Sequence, residues 1–317
     1  PPFYFPDLAI NRPAKLKKKK IKSIEIKAYK RLLVKNLMEA YFQWKQAGQA
    51  IEIYRQAEDL LQEAARSTNS MIRNGVALPS ARSRIEGELA TVQAQQIEAV
   101  ANEENAFAYL QFVLGDKTIS RDQLQIEIPE LPEESSNESQ NREELIQLDL
   151  GLELDQLKID QENNFFKPQI GLQLDLGSQD FNFGWKPYGL LGVNLQWSLF
   201  DGNRHQLRRQ QALTGIEIRK EQKKQVEEQF ALQLGIARRN LTSGINQAET
   251  FRPRIEAAER TYRDILRKYS EGSANYLELL DARIQLTQSQ ISYLLARYQA
   301  WAKWSEYQYS SALYPID

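Results

Sequence analysis

The sequence predicts a mainly helical fold with a small membrane β part. One unit, a strand followed by a long helical hairpin, is written twice. Three observations predict this. Two glycine turns, Ile72-Arg73-Asn74-Gly75-Val76-Ala77-Leu78-Pro79 and Tyr269-Ser270-Glu271-Gly272-Ser273-Ala274-Asn275-Tyr276, each separate two long helical patterns. Upstream, Ser23-Ile24-Glu25-Ile26 echoes Gly215-Ile216-Glu217-Ile218 at a nearly constant offset, the mark of an internal duplication. Between the two copies, two short stretches abandon the helical period for strict alternation.

The elements follow in order. Residues 1–14 read as a remnant of a first-repeat strand, with Leu8 and Ile10 on one side. Residues 15–115 form the first helical hairpin. Its outgoing arm, to Asn74, spaces Leu33, Leu37, Tyr41, Trp44, Gly48 and Ile51 by three and four, and would be about 90 Å long if continuous. The return helix starts at Pro79, whose missing N–H suits a first helical turn, and stops at Gly115. Residues 116–140 are an irregular segment, rich in proline and then in Glu, Ser and Asn, with room for a short strand. Helicity resumes over 141–164.

Residues 165–202 form a β-hairpin. Ile170, Leu172, Leu174 and Leu176 alternate with Gln169, Gly171, Gln173 and Asp175. In the second strand, from Tyr188 to Phe200, Leu191, Val193, Leu195, Trp197 and Leu199 alternate with Gly192, Asn194, Gln196 and Ser198. Such alternation gives each strand two different solvents. Residues 203–317 are the second helical hairpin. Pro253 should kink or interrupt its first arm. The last arm carries a heptad seam of Leu277, Ile284, Ile291 and Tyr298 beside Leu280, Thr287, Leu294 and Trp301.

Composition excludes several classes. A formal charge of −1 calls for no nucleic-acid partner. With no cysteine there are no disulfides and no thiol chemistry. The single histidine, His205, reads as a solvated surface residue in a polar stretch. No phosphate-binding loop, catalytic constellation, metal cluster or cofactor motif is visible, so no enzyme is expected. No run approaches about 18 apolar residues, which rules out a membrane-spanning helix. The opening Pro1-Pro2-Phe3-Tyr4-Phe5-Pro6 does not read as a natural start.

The alternating strands match the length and pattern of tilted membrane strands. An open sheet edge is not tolerated in lipid, so few strands per chain require several chains to share one barrel. The helices would continue that barrel as a tube. A coiled-coil adaptor without a pore is the alternative; it has no reason to segregate Leu, Val and Trp from Gly, Asn and Gln. A helical pore-forming toxin would need a long apolar insertion segment, and none is present.

The chain resembles the TolC-type outer membrane efflux proteins over nearly its whole length. Trp197-Ser198-Leu199-Phe200-Asp201-Gly202-Asn203-Arg204 is similar to that family's strand-to-helix junction, and Phe165-Phe166-Lys167-Pro168 to the approach to a barrel strand. Tyr269 to Arg283 is similar to the periplasmic tip of the second repeat.

The resemblance implies a homotrimer in the outer membrane of a Gram-negative bacterium, with a trimeric β-barrel continued by a periplasmic α-helical barrel. Residues 116–140 would belong to its equatorial belt, and a helix and a strand would precede Pro1. Such a protein is a passive duct of an efflux or type I secretion system. Its partners would be a periplasmic membrane-fusion adaptor, an inner-membrane transporter and outer membrane lipid. Glu278, Asp281 and Tyr269 match positions of the pore gate, while the family's basic gate residue is replaced by Ala274. Gly75, Val76, Leu78, Gly272, Ser273 and Ala274 would form the exposed tips that meet the adaptor. Lys15 to Lys20, Trp185 and Tyr188 would lie near lipid headgroups, and Trp301 and Trp304 between helices.

Overall fold

The structure, a computed structural model, describes residues 8–124, 126–133, 142–178 and 187–313. Expectations for 1–7, 134–141, 179–186 (Trp185 included) and 314–317 lie outside the described residues. The elements are α1 (Leu8–Arg73), α2 (Pro79–Leu114), a 3-10 turn at Arg121–Leu124, α3 (Glu143–Asn163), β1 (Gln169–Ser178), β2 (Pro187–Gln196), α4 (Arg204–Ser270) and α5 (Tyr276–Ser311). They fall into two compact units, Pro1–Lys30 with Gln140–Ala231, and Arg31–Ser139 with Leu232–Asp317.

In the first unit, β1 and β2 pair antiparallel, with Ile170 opposite Leu195, Leu172 opposite Val193 and Leu174 opposite Leu191. The register therefore puts the apolar residues of both strands on one face, as the alternation requires. That face is open: Leu191 is 65% and Val193 71% exposed. Strand β2 ends at Gln196, short of the expected Phe200. The reason is the partner: β1 begins at Gln169, so Trp197 and its successors find no facing strand, and the Trp197 indole N–H donates instead to the Phe166 carbonyl at 3.0 Å.

Acidic α3 is held in this unit by basic side chains of α1 and α4. Lys17 pairs with Glu153, Arg219 donates to Asp155 at 2.7 Å and Lys223 to Asp149 at 2.6 Å. Gly151 makes the Arg219 contact feasible, since a Cβ there would stand 3.0 Å from the guanidinium Nη1.

Two further expectations are corrected in this unit. Residues 8–14 are helical and not a strand remnant; no described strand pairs with them, and a helix satisfies its backbone internally. His205 is not a solvated surface residue. Its ring stacks on Phe165 at 4.7 Å and lies edge-on to Phe166, and its Nδ1 is 2.9 Å from Asp201 Oδ1. Asp201 also accepts the His205 backbone N–H at 2.8 Å, so the pair closes the first turn of α4. Among the described residues no helix is long and apolar enough to cross a membrane.

The second unit packs parts of α1 and α4 with α2 and α5. Its largest apolar cluster joins Phe42, Trp44, Phe107, Leu110, Leu294, Tyr298 and Trp301. Trp301 meets Phe42 at 5.2 Å and Trp304 at 5.4 Å, which puts both tryptophans between helices as expected. The Trp44 indole donates to Glu103 at 2.5 Å, and Arg121 holds the same carboxylate. Helix α4 runs through Pro253 without interruption. Both Glu249, whose carbonyl loses its usual donor, and Pro253 are exposed, so water can meet the freed group.

The irregular segment holds a 3-10 turn and, among its described residues, no strand. It is strapped to both hairpins instead. The Tyr41 hydroxyl donates to the Ile126 carbonyl at 2.9 Å, and Arg297 to the Glu130 carbonyl at 2.7 Å. The Glu130 carboxylate takes the Tyr293 hydroxyl and Arg252. The Tyr293 hydrogen bond, against an opposing effect of burial and with help from Arg252 and Arg297, holds Glu130 below the usual carboxylate pKa.

A folded pKa below the unfolded one stabilises above the unfolded value and is lost as pH falls through the folded value. Amide exchange of residues 126–133, corrected for intrinsic rate, is therefore expected to accelerate below about pH 4. Glu130→Gln should abolish that pH-dependent step; a variant that keeps it would show that Glu130 does not carry it.

Candidate functional site

The two hairpin tips are built by the same local chemistry. Gly75 has φ +73° and Gly272 +74°, the left-handed conformation that ends a helix and that glycine adopts without a Cβ clash. Each is closed by the paired hydrogen bonds of a Schellman turn: Val76 N to Met71 O at 2.8 Å, and Ser273 N to Lys268 O at 2.8 Å. Pro79 opens α2 at a position that needs no donor. Asn275 caps α5, its side-chain oxygen accepting the Glu278 N–H at 3.1 Å, while its Nδ2 donates to Glu278 Oε1 at 2.7 Å.

Glu278 and Asp281 are both exposed, one turn apart on the first turns of α5. Helix spacing puts them on one face, and the positive end of the helix dipole favours Glu278 there. The tip residues divide. Gly75, Val76, Leu78, Gly272 and Ser273 are exposed, with Val76 at 72% and Leu78 at 71%. Ala274 departs from the expected exposure: it is half-buried, packed against the cluster of Tyr262, Tyr269, Leu279, Ala282 and Leu286.

Tyr269 is only 3% exposed and its hydroxyl lies 2.6 Å from Thr68 Oγ1. This buried bond links α1 to α4 and so ties one hairpin to the other. Thr68 carried no signal in the sequence, because a lone threonine late in a helix is ordinary. Tyr269→Phe leaves the Thr68 hydroxyl buried without a partner, which is expected to cost about 1–3 kcal/mol in chemical unfolding. Adding Thr68→Val should recover most of it, because replacing both partners by apolar groups of similar shape is nearly neutral.

The same end of the unit holds Arg283, which sequence reading left without a role. It is 4% exposed, and its guanidinium lies over the Tyr262 ring, 5.6 Å from the centroid. Burial holds its pKa below the ordinary arginine value. Among the described residues no group of His, Cys, Asp and Glu is arranged to hold a metal.

The family model described as "Outer membrane efflux protein" matches residues 135–305. The outer membrane protein VceC of Vibrio cholerae is 17% identical over 98% of this chain and 77% of its own, with a TM-score of 0.73. The open-state MtrE outer membrane channel of Neisseria gonorrhoeae gives a TM-score of 0.77 at 15% identity, over 96% of this chain and 72% of its own. For the CmeC outer membrane channel of Campylobacter jejuni the TM-score is 0.72 at 15% identity, over 96% and 68%. At such identities the likeness concerns the fold. No curated protein matches the chain.

Proposed function

Because the chain belongs to the outer membrane efflux protein family, whose members are channels and not enzymes, we propose that it is the outer membrane duct of a tripartite efflux or type I secretion system. In this reading it is a homotrimer in the outer membrane of a Gram-negative bacterium, with its helices in the periplasm. It passively exports what an inner-membrane transporter and a periplasmic membrane-fusion adaptor deliver.

The observation that carries this reading is the β1–β2 hairpin, a two-stranded sheet whose Leu and Val face is open. Two strands are not stable alone in water, and in lipid both outer edges must be paired. Further strands and further copies meet both needs at once by closing a barrel with the apolar face outward. At the hairpin tips, Glu278 and Asp281 of three copies would make two stacked carboxylate rings at the duct's entrance, favouring cations over anions. Val76, Leu78 and Ser273 are free there to meet the adaptor, with Gly75 and Gly272 setting the turn. Ala274 contributes less, being half-buried.

The test is the native mass of the full protein extracted from membranes in mild detergent, followed by conductance in planar bilayers. A conducting trimer supports the duct. A monomer or dimer that is soluble without detergent overturns it and leaves a coiled-coil adaptor.

A further inference from the structure

Arg283 is a cation enclosed by apolar groups. Its Nε and Nη2 are both buried and neither has a hydrogen-bond acceptor. The acidic residues nearest in sequence cannot help. Asp281 lies two positions away and Glu278 five, spacings that point to other faces of α5, and both are exposed. Beside the guanidinium is a small cavity of about 10 Å³. Its walls come from all four helices of the unit: Leu61 and Ala64 of α1, Ile85 of α2, Tyr262 of α4, and Tyr276 and Leu279 of α5. No carboxylate lines it.

We propose that this cavity is an anion site, occupied by one monovalent ion of the halide class held by Arg283. The reasoning is one of charge and size. A buried ion without a counter-charge is a penalty that a marginally stable fold does not leave unmet. Water in the cavity would accept the guanidinium N–H groups but would leave the charge uncompensated. A halide accepts those hydrogen bonds and supplies the charge.

The space suits a single small occupant such as a halide. The two tyrosines in the wall have no negative charge to repel an anion. Because every helix of the unit contributes a wall, the ion would sit where the two hairpins meet. It would act as a counter-charge between them, on the buried side of the helix that carries Glu278 and Asp281. This inference concerns the packing of the tips and does not depend on the duct reading.

The experiment uses the full protein in detergent, melted at constant ionic strength in sodium chloride, sodium bromide or sodium gluconate, whose anion is too large for the cavity. The unfolding midpoint is expected to be several degrees higher in chloride and bromide, saturating with concentration, and crystals grown in bromide should give one anomalous peak beside Arg283. Arg283→Met should melt alike in all three salts, and above the wild-type protein in gluconate, because the uncompensated charge is gone. Equal wild-type midpoints with no bromide peak would mean a water-filled cavity and overturn the proposal. A halide effect that persists in Arg283→Met would place it on the surface and do the same. Should Arg283→Met fail to fold, the bromide peak in the wild-type crystal decides alone.

Discussion

In planar bilayers, the double variant Glu278→Gln, Asp281→Asn is expected to lose most of its cation preference, with the cation-to-anion permeability ratio falling on the order of tenfold. The two carboxylates are exposed, share one helix face and stand beside the turn that reverses the chain. In a trimer they would be brought together around one axis, where rings of like charge in a narrow low-dielectric passage focus the field. The substitutions keep size and hydrogen-bonding capacity, and the Asn275 cap should survive, because its oxygen accepts from the Glu278 backbone and not from its side chain. A change in selectivity at unchanged stability would thus report charge alone. An unaltered ratio would remove these residues from the entrance and leave them as helix-end charges.

Trp301→Ala is expected to have the largest effect on stability, a loss of about 3–5 kcal/mol in chemical unfolding. Trp301 is 6% exposed and sits against Phe42 and Trp304 in the largest apolar cluster, so truncation opens a cavity that rigid helices close poorly. Trp301→Phe should cost far less than the lost volume suggests. The indole Nε1 is buried with no acceptor, and its removal relieves an unpaired donor. If Trp301→Phe costs as much as its lost volume alone predicts, the indole N–H is not an unmet donor.

Much of the fold was legible because local chemistry decides it. The return helix was predicted to start at Pro79 and stop at Gly115, and α2 spans Pro79–Leu114 with Gly115 in the left-handed conformation. The strand alternation set which residues share a face, and the register agrees. What failed was phase and partnership.

The heptad rows assigned to α5 had the right spacing but were one and two positions off near the tip. There the buried rows run through Leu279 and Leu286, and through Ala282 and Ser289, while Ile284 is exposed. Leu279 and Leu280 are equally apolar, so periodicity alone cannot choose between them. His205 looked solvated because its neighbours in sequence are polar; its stacking partner, Phe165, comes from the far side of the hairpin.

The candidate site divides the same way. The glycine turns, the Asn275 cap and the Glu278–Asp281 spacing depend on residues within a turn of one another, and the sequence by itself determined them. The Thr68–Tyr269 bond, the half-buried Ala274, the Glu130 strap and the enclosed guanidinium of Arg283 join residues far apart in the chain. Only the tertiary structure decided those, because a contact between distant segments depends on how helices are rotated against each other, and that rotation is set by packing.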